Sequence, residues 1–198
     1  MAGIIYSVSW TQMCNSALGR LGAEQITDLS EGTGNAEYCM TYLGDVVEDV
    51  LGQYDWYCCR KRVRLAPDLS PPAFGRAYRF LLPADCLRII RVGSDGQEDG
   101  PEAPYIVENG AILADTDHLD CVYVVQPEDP GRLPAPVRKA IIASLAFLLS
   151  TPLTSNDQLA VRIAAERQEA LEKAKIWDAR QTYDPRQAGE PLFEEARS

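Results

Sequence analysis

The hydrophobic period of this chain changes twice along its length. Apolar residues recur at helical spacing as far as residue 52, break into short β-type runs between residues 56 and 125, and return to helical spacing from Val137 to Trp177. That order calls for an α+β fold, because a stripe repeating every 3.6 residues does not serve as a pleated strand. The reading is α-α-β-α-α: a four-helix bundle with an inserted small antiparallel β domain and an extended C-terminal tail. Residues 1–56 and 133–177 are expected to form the bundle core, 57–132 the inserted β domain, and 178–198 a docking tail. With 198 residues the chain can bury roughly 70% of the surface its unfolded form exposes, so it needs no covalent staple.

Each helix carries end signals. Ser9–Trp10–Thr11–Gln12 has the form of a capping box, with Val8 and Met13 placed as a hydrophobic staple. The stripe Trp10, Met13, Cys14, Ala17, Leu18 and Leu21 follows, and Gly22 is a natural stop. Asn35 is the expected cap of a second helix, whose stripe of Cys39, Leu43, Val46, Val47, Val50 and Leu51 ends near Gly52. Pro134 and Pro136 suit the entrance of a third helix. From Val137 to Leu149 it is apolar on nearly every side, so it belongs at the centre, and Thr151–Pro152 is expected to end it. Ser155–Asn156–Asp157–Gln158 offers another capping box before a fourth stripe of Leu159, Ile163, Ala170, Leu171, Ala174 and Trp177. The simplest packing pairs the first helix with the last. Between the helical halves, Trp56–Leu65, Tyr78–Leu82, Leu87–Val92, Tyr105–Glu108, Ala111–Leu113 and Leu119–Val125 read as strands of a compact sheet or small sandwich. Asn109–Gly110 reads as a hairpin turn, since both residues tolerate positive φ.

The net charge of −10 at pH 7 is strongly segregated. Residues 22–55 hold eight acids and no Lys or Arg, residues 56–92 hold eight bases and two acids, and residues 93–131 hold ten acids and no Lys or Arg. Tight nucleic-acid binding needs clustered bases without flanking acid, so this pattern argues against it. Neutralisation within the chain is expected, a basic β region lying near acidic helices, with complementary charge between neighbouring copies as a second use. The six cysteines (Cys14, Cys39, Cys58, Cys59, Cys86 and Cys121) contain no C-x-x-C pair and mostly occupy apolar runs, so they read as reduced core residues. Ile4–Val8 is too short for a signal segment, and no run reads as long as a membrane span of about 18 apolar residues. A soluble protein without a membrane partner is expected.

Catalytic signatures are not found. Gly32–Thr33–Gly34 lacks the third glycine and the Lys–Ser/Thr pair of a phosphate loop. A G-x-S-x-G elbow is missing, and the single histidine, His118, offers no zinc set. His118 and Cys121 stand three apart at a strand start and point to opposite faces. The adjacent acids Glu48–Asp49 and Glu194–Glu195 read as solvated charge. No catalytic, metal or cofactor residue is assigned, and the chain reads as a non-enzyme. Trp10, Trp56 and Trp177 stand at element ends and read as core. Trp177 is also a docking candidate together with Tyr183, Leu192 and Phe193, because apolar residues in a segment without periodicity gain burial only on a partner. Cutting the chain after Trp177 is therefore expected to weaken docking and leave the fold intact.

The phrase Met13–Cys14–Asn15–Ser16–Ala17–Leu18–Gly19–Arg20–Leu21–Gly22–Ala23, followed by Ile26–Thr27–Asp28–Leu29, resembles the opening of the tail tubular protein A family, the head-to-tail adaptors (connectors) of short-tailed, podovirus-type bacteriophages. The resemblance continues through Ala36, Tyr42, Asp45, Val50, Leu51, Tyr54–Asp55–Trp56 and the basic strand after it. It runs on through Ala73–Phe74–Gly75–Arg76–Ala77–Tyr78, Leu82–Pro83–Ala84–Asp85–Cys86–Leu87–Arg88, Ala140–Leu149, Pro152–Leu153–Thr154 and Leu159. It covers most of residues 10–177; residues 93–118 and those after Trp177 are less family-like. The resemblance implies a structural virion protein at the portal–tail vertex, present in the host cytoplasm during assembly. It would form a ring of twelve copies below the portal protein, connect it to the tail nozzle protein, and help to hold tail fibres. DNA would pass through its channel during genome ejection without specific binding, which an acidic subunit suits. The other readings are a different head-completion or tail-joining protein of the virion, and a small tail-associated wall hydrolase. The hydrolase would need converging carboxylates or a Cys–His pair.

Overall fold

The computed structural model describes residues 8–97 and 100–181. Helix α1 (Trp10–Leu21) starts at the expected capping box: Ser9 Oγ accepts the Gln12 N–H at 3.2 Å, and Gln12 Oε1 accepts the Ser9 N–H at 3.1 Å. Gly22 closes it at φ 71°. Helix α2 (Gly34–Gly52) is capped by Thr33 rather than Asn35. The Asn35 side chain instead donates to the Glu24 carbonyl at 2.9 Å, tying the preceding loop to the helix. Helix α3 (Ala135–Leu153) runs through Thr151 and Pro152, where a stop was expected. Proline removes one amide from the last turn only, and Thr154 closes the end by donating both its N–H and its hydroxyl to the Ser150 carbonyl. Helix α4 (Asp157–Ala179) is capped by Asn156, one residue later than the Ser155 box suggests, with Oδ1 accepting the Leu159 N–H at 3.1 Å.

Helix α3 is the hub, packing on α1, α2 and α4. Buried residues lie on several sides of it, among them Val137, Ile141, Ala143, Leu145 and Leu149, while Lys139, Leu148 and Thr151 keep an exposed strip. The expected pairing of the first helix with the last is therefore replaced: α1 and α4 both pack chiefly on α3. By length and composition α3 does qualify as a bilayer-crossing helix (19 residues, mean hydropathy 1.3), contrary to the sequence reading, and half of it is buried inside this fold.

Six strands follow the expected runs closely: β1 (Arg60–Leu65), β2 (Tyr78–Leu81), β3 (Cys86–Gly93), β4 (Ile106–Glu108), β5 (Ala111–Ala114) and β6 (Leu119–Val125). They form two antiparallel three-stranded sheets, β1-β6-β3 and β2-β5-β4. Asn109 (φ 46°) and Gly110 (φ 71°) make the hairpin between β4 and β5. The first strand begins at Arg60 rather than Trp56, because Tyr57–Cys59 are drawn into a 3-10 turn.

Alternation along β6 explains how the layers meet. Cys121 and Tyr123 enter a core shared by the two sheets, with Leu65, Phe80, Val92 and Ile112. Val124 points the other way, into the helical core beside Trp56, Cys59, Leu133 and Ile141. The sheet β1-β6-β3 thus carries the helices on one face and the second sheet on the other.

Candidate docking surface

Trp177 lies on a second stripe of α4, distinct from the one that reaches the core. Glu166, Glu169, Ala170, Lys173, Ile176, Trp177 and Arg180 follow one another at helical spacing along one wall of a groove of about 510 Å³. The floor comes from Pro136 and Lys139 at the start of α3, and the opposite wall carries Arg20 of α1. The groove exists because α1 and α4 flank α3 without closing on each other. Among the described residues, an ion pair from Arg20 to Glu166 at 4.0 Å ties the two walls. Ile176 is 51% exposed and Trp177 partly buried, so an aromatic and an aliphatic surface stand open between charged rims.

Of the four docking candidates, Trp177 is on this groove; Tyr183, Leu192 and Phe193 lie outside the described residues. The neighbouring Asp178 is fully buried and part of the fold. Its carboxylate accepts the Tyr57 N–H at 2.8 Å and the Cys58 N–H at 3.4 Å, and this grip holds the 3-10 turn ahead of β1. Helix α4 continues through Ala179, so residues 178 and 179 are helical rather than tail. The sequence marks Trp177 through the aperiodic apolar segment that follows it, but not Arg20 and Lys139, which arrive from other helices.

The basic block of residues 56–92 is largely neutralised inside the chain. Lys61 pairs with Asp85 (2.7 Å), Arg64 with Asp120 (2.7 Å), Arg76 with Asp115 (2.5 Å) and Arg79 with Asp68 (3.1 Å). Arg88 reaches Asp55 at 3.5 Å. Most partners are aspartates of the β unit itself rather than the acidic helices that the sequence reading anticipated. Lys61 holds the Asp85 carboxyl below the ordinary carboxylate range, and Arg64 does the same for Asp120. Burial pushes the Tyr123 phenol up, and its hydroxyl donates to Asp85 at 3.1 Å.

His118 contacts Asp117 Oδ1 at 2.7 Å and the Ser94 carbonyl at 2.8 Å, and the Asp117 carboxylate raises its pKa first of all. Cys121 is buried in the β core, where desolvation pushes its thiol up to about 12, so it faces away from His118. The six cysteines are free. Cys14 and Cys39 touch across α1 and α2, and this contact together with burial pushes the Cys14 thiol far up. Thr33 caps a helix at the Gly32–Thr33–Gly34 loop. Among the described residues, no three His, Cys, Asp or Glu side chains come together as a metal set.

No protein-family model and no curated protein matches this chain.

Proposed function

We propose that this protein is a head-to-tail adaptor of the tail tubular protein A type, a structural ring subunit joining a portal to a tail nozzle. In this reading the helices make a four-helix bundle carrying residues 57–132 as an inserted β domain, with a docking tail beyond α4. The observation that carries it is that the phrase behind the family resemblance behaves as one structural unit. Asn15, in its first half, grips Ile26, in its second: Nδ2 donates to the Ile26 carbonyl and Oδ1 accepts the Ile26 N–H, both at 2.8 Å. Further along, Trp56 is fully buried and its indole N–H donates to the Val50 carbonyl at 2.9 Å. The Leu82–Arg88 phrase turns through a Cys86 N–H to Pro83 carbonyl bond of 3.0 Å into β3. Motifs that serve folding rather than chemistry suit a subunit whose task is to hold shape in a ring. A central α3 packed against three helices supplies stiffness, and the groove beside Trp177 supplies a place for lateral or axial contacts.

Negative-stain imaging of the protein mixed with the portal ring encoded near its gene tests this. The expected result is an added twelve-fold layer at one end of the portal. A protein that stays free of the portal, or that layers only on a distal tail component, overturns the portal-docking assignment.

A further inference from the structure

The groove beside Trp177 carries unspent positive charge. Glu166 is engaged by Arg20 and by Arg162 at 3.6 Å, and Glu169 by Lys173 at 2.5 Å. Lys139 and Arg180 line the same groove with no ion-pair partner among the described residues. A fitting occupant is short, apolar at its middle and acidic at its flanks. Beyond α4 the chain carries such a segment, Glu190–Pro191–Leu192–Phe193–Glu194–Glu195, with three acids and no base around two large apolar residues. Its tether begins at the right place, since Arg180, just past the end of α4, is itself on the groove. Eight residues, 182–189, separate Gln181 from Glu190. At full extension they span about 28 Å, enough to turn back along the groove. A tether this short also holds its end at an effective concentration in the millimolar range, above that of other copies in dilute solution.

We propose that residues Glu190–Glu195 occupy the groove of their own copy, with Leu192 and Phe193 on Ile176 and Trp177 and the acids beside Lys139 and Arg180. The free subunit then keeps its apolar surface covered until a stronger partner displaces the segment. The inference stands on this chain alone and not on the adaptor reading, so failure to bind a portal leaves it untouched.

Zero-length carbodiimide cross-linking of the full chain tests it. Unlabelled and 15N-labelled protein are mixed in urea, refolded together at low concentration, cross-linked and digested for mass spectrometry. Amide links from Lys139 or Lys173 to Glu190, Glu194 or Glu195 are expected, joining peptides of the same label. Phe193→Ala should cut their yield about tenfold, the size of effect that roughly 1.4 kcal/mol of lost anchoring produces, although every reacting group remains. Three results overturn the proposal: no such links, links unchanged in the Phe193→Ala chain, or links chiefly between differently labelled copies. The last would make a second copy the occupant.

Discussion

The carboxylate of Asp178, near the end of the last helix, accepts the backbone N–H of Tyr57, 121 residues earlier, at 2.8 Å. Asp178 is fully buried, and with the Cys58 N–H at 3.4 Å it holds the turn through which the helical half enters β1. Replacing it with alanine leaves two backbone donors without their acceptor. Asp178→Ala should lower the unfolding free energy by about 1.5–3 kcal/mol, the range for hydrogen bonds to a charged group, because the acceptor is fully buried and its donors part-buried. Urea melts of both proteins measure this; a loss within roughly 0.5 kcal/mol, the range of an ordinary surface substitution, would show that the turn is held by other means.

The same contact changes what truncation does. A chain ending after Trp177 loses Asp178 and should melt well below the full protein, whereas one ending after Gln181 keeps it and should melt close to the full protein. Thermal denaturation of the two truncated chains side by side checks the difference, which reverses the sequence-based expectation that the first cut leaves the fold intact.

Asn15 makes two hydrogen bonds to a single residue of the loop after α1. Asn15→Ala removes both while Ile26 stays 4% exposed, so its amide and carbonyl must find water or go unpaired. A loss of about 1–3 kcal/mol is expected, with faster hydrogen exchange concentrated in residues 23–33. Uniform exchange across α1 and this loop in the variant would contradict a local clamp.

Trp56 fills the helical core and bonds the Val50 carbonyl. Trp56→Phe keeps an aromatic ring but loses the indole donor and some volume, and should cost about 1–3 kcal/mol. Calorimetry against the parent chain reads the loss.

His118 is the chain's single histidine, so its imidazole resonances titrate without overlap. Its pKa is raised above 6.5 chiefly by the Asp117 carboxylate. The imidazolium–Asp117 contact therefore stabilises the fold fully below about pH 6.5 and fades as the pH rises through the folded-state pKa. NMR titration should give a midpoint above 6.5, falling toward that value in Asp117→Asn. An unchanged midpoint in the variant would assign the shift to the Ser94 carbonyl instead.

The local architecture was legible in the sequence. The Ser9 box, the Gly22 stop, the end of α2 at Gly52, the Asn109–Gly110 turn and the strand runs all depend on residues within a few positions of one another. Even the local misses were small: Thr33 and Asn156 displaced neighbouring caps of similar chemistry, and α3 absorbed Pro152 in its final turn. Trp177 was visible as a docking candidate because apolar residues without periodicity follow it in the sequence, whereas its groove was not. What only the tertiary structure decided is which faces meet. It set α1 and α4 on either side of α3, joined Asp178 to Tyr57, split six strands between two sheets, and gave alternate residues of β6 to two cores. Each of these depends on contacts between residues far apart in sequence. A hydrophobic period marks the face that must be buried, but the partner that buries it is selected by packing of the whole chain.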